Sequence, residues 1–534
     1  MRKFISLSTI SLLILSQPVW SYHNNNKKIV DENNNIVAID GVNWAGFQDS
    51  GFVDEMYGAI PFYPIAKPYQ QPIKIGVINL LKDPENYPGL TNVTKENSVL
   101  FKTIRLPISP ATLHNKKANN HFRIDLTDAK DKTSGNGVFC KTWGKDDCAQ
   151  PLTIAESFYQ LIEEFKKNNI RVLIDFHQTP SGRTGNVVTN EYTLSHYKND
   201  ITELAKIIKE KQLSNVIGID VFNEPHNLNW FTQNGSQPAW VDVIAVAAQA
   251  VYENNPDLLL FVEGPSSDDV GPAICLFKAN WGENFKPLLD MQAAKQGQLT
   301  LGNEFRNQLL KKTSNKVVTW LLGQENDLNR NGSHIVFSPH IYGKNVAEWQ
   351  TSPEESVYRF NCNFGFLNDS NYPVVIGETG YFVHGSDLHI MPNLPNNPGL
   401  YKNSFIYAGN QVIYINTEGQ SEFVTIKDIN LFRQTLEEIN KDKSTLLHLT
   451  SSQLYKLITV NGGYVLPKDK DDLDFFQLSI KPYLMKNKMN HNLIYWTFNT
   501  NSGDTGGVRE DANTASLVLE KEQALHELFY ADDK

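Results

Sequence analysis

Short apolar runs rich in β-branched residues alternate with amphipathic stretches along much of the chain. The clearest unit opens at Thr153-Ile154-Ala155-Glu156, where Thr and Glu stand at capping-box spacing. Ile154, Phe158, Leu161, Ile162 and Phe165 follow at helical intervals, and the pattern stops at Asn168-Asn169. That spacing predicts an amphipathic crossover helix. Val172 to His177 comes directly after it as a strand, completing a strand, helix, strand unit. A helix carrying Ile201, Leu204, Ala205, Ile207 and Ile208 leads to the run Val216 to Phe222, apolar or Gly except for Asp220. Such continuous apolar character fits a strand covered on both faces. A helix from about Trp240 to Tyr252 then feeds a strand at Leu258–Val262. Further strands are predicted at Ile36–Trp44, Phe101–Ile108, Ile335–His340 and Val374–Glu378.

This alternation predicts the α/β class and a parallel barrel. Residues 22–35, Asn-rich and polar, read as a flexible start. Phe47 to Glu96 reads as an elaborated first loop with one short helix, and residues 109–151 as a long polar loop. Residues 266–333 are longer than one crossover needs, and residues 381–490 far longer. The latter hold a strand-like Gln411–Asn416, an amphipathic Leu431–Ile439 and a last helix near Leu478–Met489. About 384–470 reads as an insertion packed beside the site, as a lid or a cleft wall.

Candidate chemistry sits at the strand ends. The run from Val216 stops at Asn223-Glu224-Pro225, and Pro225 cannot continue a ladder, so Glu224 falls at the carboxyl end of its strand. Sites in α/β sheets are built at that end. A single glutamate there is ordinarily just solvated. Pro373-Val374-Val375-Ile376-Gly377-Glu378-Thr379-Gly380 repeats the design, however, with Glu378 closing a second apolar run. Two such carboxyls suit glycoside hydrolysis, in which one protonates the leaving oxygen while the other attacks or activates water. One must then be kept protonated and the other ionised. Asn223, beside Glu224, is the kind of polar group that holds a sugar 2-hydroxyl.

Composition narrows the partners. Hydrophobic residues at 40% and aromatics at 11% suffice for a core, which excludes global disorder. A net charge of −10 argues against a nucleic-acid backbone and suits neutral, hydroxyl-rich polymers. Arg2 and Lys3 precede the apolar stretch Phe4–Leu15, and Val19-Trp20-Ser21 offers cleavage chemistry, so residues 1–21 read as a secretory signal peptide. Export permits disulfides among the four cysteines. Cys140 and Cys148, close together in a polar loop, are one expected pair; Cys275 and Cys362 form either a second bridge or two free thiols. Neither spacing resembles a zinc site.

Gly41-Val42-Asn43-Trp44, Ile104-Arg105-Leu106-Pro107-Ile108, Leu173-Ile174-Asp175-Phe176-His177, Phe222-Asn223-Glu224-Pro225, Ser338-Pro339-His340-Ile341-Tyr342, Ile376-Gly377-Glu378 and Tyr495-Trp496-Thr497-Phe498 follow one another in a recognisable order. In that order they resemble the secreted endoglucanases of glycoside hydrolase family 5. The runs Asn501–Gly507 and Trp281-Gly282-Glu283-Asn284 resemble a bacterial branch that degrades plant cell walls. The resemblance implies a (β/α)8 TIM barrel with long loop insertions, occupying residues 22–534, with the 384–470 insertion between strands seven and eight. It implies Glu224 as acid/base and Glu378 as nucleophile, with Arg105 beneath Glu378 keeping it ionised. His177, Asn223, His340 and Tyr342 would surround the reacting sugar, Tyr342 donating to the nucleophile and Trp496 forming an aromatic floor.

Trp44, Trp143, Trp230, Trp281 and Trp349, in or beside loops, are candidates for further sugar platforms or for core packing; Trp44 is placed with the substrate-binding set. Asp175 is assigned a structural role. The expected activity is hydrolysis of β-1,4-glucan with retention of configuration, by a secreted monomer needing no metal or cofactor. The alternatives are the same mechanism on mannan, xyloglucan or mixed-linkage glucan, or a catalytically silent polysaccharide-binding barrel.

Overall fold

The computed structural model describes residues 21–48, 77–86, 93–117, 153–180, 187–231, 238–266, 281–343, 352–381, 385–459, 472–498, 505–508 and 517–531, with a few single residues between them. The leader, the Cys140 and Cys148 pair, Trp143 and Trp349 lie outside the described residues.

Seven strands form one parallel sheet in the order Ile494–Tyr495, Gly41–Asn43, Thr103–Ile108, Arg171–Phe176, Val216–Asp220, Leu259–Val262 and Ile335–Phe337. The two outer strands are joined through the extended segment Val374–Glu378. Val374 bridges Phe337 and Ile376 bridges Leu493, both in parallel sense, so the sheet closes on itself as a (β/α)8 barrel. Val375 donates its amide to the Phe337 carbonyl and Ile376 donates to that of Asn492, each at 2.9 Å. The segment predicted as a strand thus serves as the eighth stave, linked by bridges on both sides.

Helices cover the outside because their apolar stripes have only the sheet to bury against. Ile154–Lys167 starts at the expected capping box, with the Thr153 side chain accepting from the Glu156 amide and the Glu156 side chain from the Thr153 amide. Leu194–Glu210 and Trp240–Asn254 follow the predicted pattern. Leu519–Phe529 closes the ring. Among the described residues no helix is long and apolar enough to cross a membrane.

Inside the barrel, period-two alternation sends every second residue inward. Leu173, Ile217, Leu259, Phe261, Val336, Val375 and Ile494 fill the lower part. Two residues further along, the same alternation delivers Asp175 after Leu173, Glu263 after Phe261, Ser338 after Val336 and Trp496 after Ile494. The interior therefore changes from apolar to charged towards the carboxyl ends of the strands.

The N-terminal segment differs from expectation. Residues 22–35 are ordered: His23–Asn25 pairs with Lys28–Val30 as a hairpin. Asn24 is fully buried, and its Nδ2 donates to Ser333 Oγ at 2.9 Å. The first barrel strand is only Gly41–Asn43, because Val37 and Ile39 are spent on the apolar floor with Tyr22 and Ile29.

Residues 386–459 form a separate unit. Strands Ser386–Met391, Ser404–Ala408, Gln411–Ile415, Ser421–Val424 and Leu446–Leu449 make a five-stranded sheet that shares no strand with the barrel. Ile429–Ile439 and Ser451–Thr459 cover it, and Leu388, Phe405, Val412, Phe432, Leu436 and Leu457 form a core of their own. Ser451–Thr459 also touches the barrel helix Leu519–Phe529.

Cys275 and Cys362 form a disulfide with Cα atoms 5.5 Å apart, which decides between the two readings of that pair. It ties the loop after Leu259–Val262 to the helical segment that follows Ile335–Phe337. The sequence separation is 87, so replacing both cysteines by serine is expected to lower unfolding free energy by about 2–4 kcal/mol. Denaturant titration without reductant measures this, and an unchanged midpoint would contradict it.

Candidate active site

Arg105 projects into the barrel from Thr103–Ile108 and is fully buried. Its Nη1 donates to Glu378 Oε1 at 2.6 Å and to Asn43 Oδ1 at 3.0 Å. Its Nε and Nη2 donate to Asp220 Oδ2 at 3.1 and 3.0 Å. Nη2 also reaches Asn223 Oδ1 at 2.9 Å, Glu263 Oε1 at 3.2 Å and Asp175 Oδ2 at 3.2 Å. A planar fork of five N–H groups is the side chain suited to so many acceptors. Burial would favour loss of its proton, but Asp175, Asp220, Glu378 and Glu263 outweigh this and fix the positive charge.

Glu378 lies at the end of the closing stave, with its side chain 5% exposed. Tyr342 Oη donates to its Oε2 at 2.7 Å, opposite the Arg105 contact. Burial pushes this carboxyl up, but the positive charges of His340 and Arg105 prevail and hold it below the ordinary glutamate value. Glu224 follows Val216–Asp220 at the next turn of chain, 20% exposed and with φ of 41°. Its Oε1 meets His340 Nδ1 at 3.0 Å, and the same nitrogen lies 3.5 Å from Glu378 Oε2. An oxygen of Glu224, an oxygen of Glu378 and a nitrogen of His340 lie within 4.8 Å of one another.

His340 is fully buried, and its Nε2 forms an ion-pair contact with Glu263 Oε1 at 3.0 Å. Burial would discharge the ring, but Glu263 and Glu378 hold it well above its ordinary value. Asp220 goes the other way: burial exceeds the pull of Arg105 and pushes it up to about 6. His177 Nδ1 lies 2.7 Å from Asp175 Oδ2, and its ring stacks on Trp496 with centroids 5.6 Å apart and planes 10° off parallel. Trp496 is half-buried, and its Nε1 donates to Ser502 Oγ at 3.1 Å.

Arg105, His177, Asn223, Glu224, His340, Tyr342, Glu378 and Trp496 therefore gather at the carboxyl end of the barrel. Trp44 does not join them. It is fully buried on the outer side of its strand, with its ring against Phe165 at 5.7 Å and Phe498 at 5.4 Å, and it has no free face for a sugar. Trp230 is likewise core, whereas Trp281 is 48% exposed and stacks on His226 at 4.9 Å. Glu263 was not anticipated. Leu258 to Val262 followed by Glu263-Gly264 has the same form as the run ending in Glu378, and that parallel was the available signal. Asp175 contacts both Arg105 and His177, at 3.2 and 2.7 Å.

A buried guanidinium holding one carboxylate, a second carboxylate across a histidine and a half-buried tryptophan beside them suit a barrel glycoside hydrolase. Residues 93–391, more than half of the chain, match the cellulase family, glycosyl hydrolase family 5, and the chain belongs to that family. The major extracellular endoglucanase of Xanthomonas campestris pv. campestris is 23% identical over 514 residues, covering 95% of this chain and 71% of that one. An endoglucanase of Paenibacillus polymyxa is 24% identical over 367 residues, covering 67% and 71%. Among solved structures, a cellotetraose complex of the endocellulase from Pyrococcus horikoshii superposes with a TM-score of 0.55 at 17% identity, covering 96% of this chain and 98% of that one. The catalytic domain of the Xanthomonas campestris enzyme gives 0.52 at 18% identity, covering 95% and 99%.

Two substitutions separate core from site. Trp44→Ala is expected to cost about 3–5 kcal/mol of stability by leaving a cavity, with substrate affinity unchanged in the folded fraction. Trp496→Ala is expected to do the reverse, raising KM with little change in melting temperature. Parallel melts and oligosaccharide kinetics would expose any exchange of these roles.

Proposed function

We propose that the chain is an exported endo-β-1,4-glucanase that cuts cellulose-type polysaccharide with retention of configuration. The observation that carries this reading is the pair Glu224 and Glu378, whose nearest oxygens lie within 4.8 Å. Retaining enzymes hold their two carboxyl groups about 5–5.5 Å apart, whereas inverting enzymes leave about 6.5–9.5 Å for a water. Glu378, ionised between Arg105 and Tyr342, attacks the anomeric carbon as the glycosidic bond breaks. Glu224 gives its proton to the departing oxygen, and a glycosyl ester forms on Glu378. Glu224, now a carboxylate, takes a proton from water, which attacks the same carbon and frees Glu378. Trp496 supports the apolar face of the sugar undergoing reaction, and polar neighbours fix its hydroxyls.

Kinship and sequence support this substrate and location. The named relatives are endoglucanases, one of them extracellular. Residues 1–21 have the order of a secretory leader, leaving 22–534 as the catalytic chain. In this reading the 384–470 insertion shapes which polymers reach the cleft and takes no part in the chemistry.

Glu378→Ala is expected to abolish reducing-sugar release from carboxymethylcellulose while the fold persists; substantial residual turnover would remove Glu378 as nucleophile. Glu224→Gln should lose about 10²- to 10⁴-fold on substrates with poor leaving groups. Its first step on an activated aryl cellobioside should stay near wild type. Equal slowing of both substrates would exclude the acid role. Because Glu378 must be ionised and its carboxyl is held low, activity should persist as pH falls to the ordinary glutamate value and disappear only below it. A pH profile of kcat/KM checks this, and an acid limb above that value would contradict it. Mixed-linkage glucan, xyloglucan and mannan, assayed beside carboxymethylcellulose, rank the substrates.

A further inference from the structure

Glu263 has no part in the double displacement just described, yet it is fully buried against both groups that serve Glu224. Its Oε2 accepts the Glu224 amide hydrogen at 2.8 Å. Its Oε1 lies 3.0 Å from His340 Nε2 and 3.2 Å from Arg105 Nη2. All three contacts are with nitrogens, the Glu224 amide and Arg105 as hydrogen bonds and His340 as a close ion-pair approach, and they favour the carboxylate while burial pushes this carboxyl up. Its own carbonyl accepts Trp240 Nε1 at 2.8 Å, which fixes the strand end that carries it.

The contact with Glu224 is to a main chain that needs holding. Glu224 has φ of 41°, in the left-handed region that costs a non-glycine residue energy unless its surroundings enforce it. The contact with His340 acts from the opposite side. The imidazole presents Nε2 to Glu263 and Nδ1 to Glu224 and Glu378, so its orientation is set by the carboxylate that faces away from the substrate. A partner of this kind limits how the ring can turn beside Glu224.

The surroundings leave the pair little freedom. Arg105 and Asp220 face it from other strands, with Asp175 behind Arg105, and Glu224 and Glu378 flank His340 on its other side. The loop over it is anchored elsewhere: Glu283 turns away to Arg359, at 2.8 Å. Gly282, with φ of 78°, lies so close that a Cβ there would stand 2.7 Å from Glu263 Oε2 and 3.0 Å from His340 Cβ.

We propose that Glu263 is a positioning residue for proton transfer: it holds the Glu224 main chain and orients His340 beside the acid/base carboxyl. This rests on the reading of Glu224 as acid/base. The test uses the full exported chain with Glu263→Gln, Glu263→Asp and Glu224→Gln beside wild type. Each is assayed on a cello-oligosaccharide and on dinitrophenyl cellobioside. Glu263→Gln is expected to lower kcat on the oligosaccharide on the order of 10²-fold, with KM little changed and the activated glycoside's first step near wild type. Removing the negative partner changes the charge that His340 presents to Glu224, so the alkaline limb of kcat/KM, which the acid sets, should shift. Glu263→Asp keeps the charge and should return that limb towards wild type.

Equal slowing of both substrates with an unmoved limb would reduce Glu263 to packing and overturn the proposal, as would wild-type kinetics. If Glu263→Gln does not fold, the substrate ratio of Glu263→Asp decides, with selective loss on the oligosaccharide supporting the role and equal rates refuting it. If Glu224→Gln discriminates between the substrates and the Glu263 variants do not, only the positioning role falls. If Glu224→Gln itself does not discriminate, the acid/base reading falls and takes this one with it.

Discussion

The carboxyl end of this barrel is organised around one buried guanidinium. Arg105 enters a space that also receives Asp175, Asp220, Glu263 and Glu378 from four other staves. Carboxylates crowded together without a counter-ion would protonate or repel. With the guanidinium among them they separate into different states. Glu378 is held low by His340 and Arg105, whereas burial, with the negative Asp175 nearby, outweighs Arg105 and His340 at Asp220 and pushes it up to about 6. The chemistry assigned to the glutamates depends on that division, and Asn43 and Asn223 complete the acceptor shell.

Much of this was legible because strand ends carry a strong signal. An apolar run that breaks at an acidic residue and then Pro or Gly marks both Glu224 and Glu378, and it also describes Glu263. Glu263 escaped notice because its run is followed by no motif as distinctive as Asn-Glu-Pro. Inward alternation places it two residues after Phe261, where any side chain must enter the charged layer. Trp44 shows the converse error. Its neighbourhood in sequence suggested a loop platform, but parity decides the matter: Asn43 points inward to Arg105, so Trp44 turns outward into the helical layer.

Other features were illegible for physical reasons. The hairpin of residues 23–30 is polar, and what orders it is contact with distant chain, such as Asn24 with Ser333 and Ile335. The sheet of residues 386–449 is assembled from runs of four to six residues with irregular patterns, such as Ser-Asp-Leu-His-Ile-Met. Gln411–Ile415, with Val412, Ile413 and Ile415 in one β-branched apolar run, announces itself best. Short strands of that kind are specified by their partners more than by their own sequence.

The closure of the barrel also bears on how the chain folds. Ile376 and Leu493 meet at the seam, yet more than a hundred residues intervene. Joining such distant points costs loop-closure entropy and slows formation of non-local sheets. The intervening sheet reduces that cost, because its first and last strands are antiparallel neighbours with Ser386 opposite Leu449. Once folded, it returns the chain almost to where it left, and the long excursion counts as a short connection. Assembly of the insertion ahead of the seam would let the stave bearing Glu378 find its last neighbour across a much shorter effective tether.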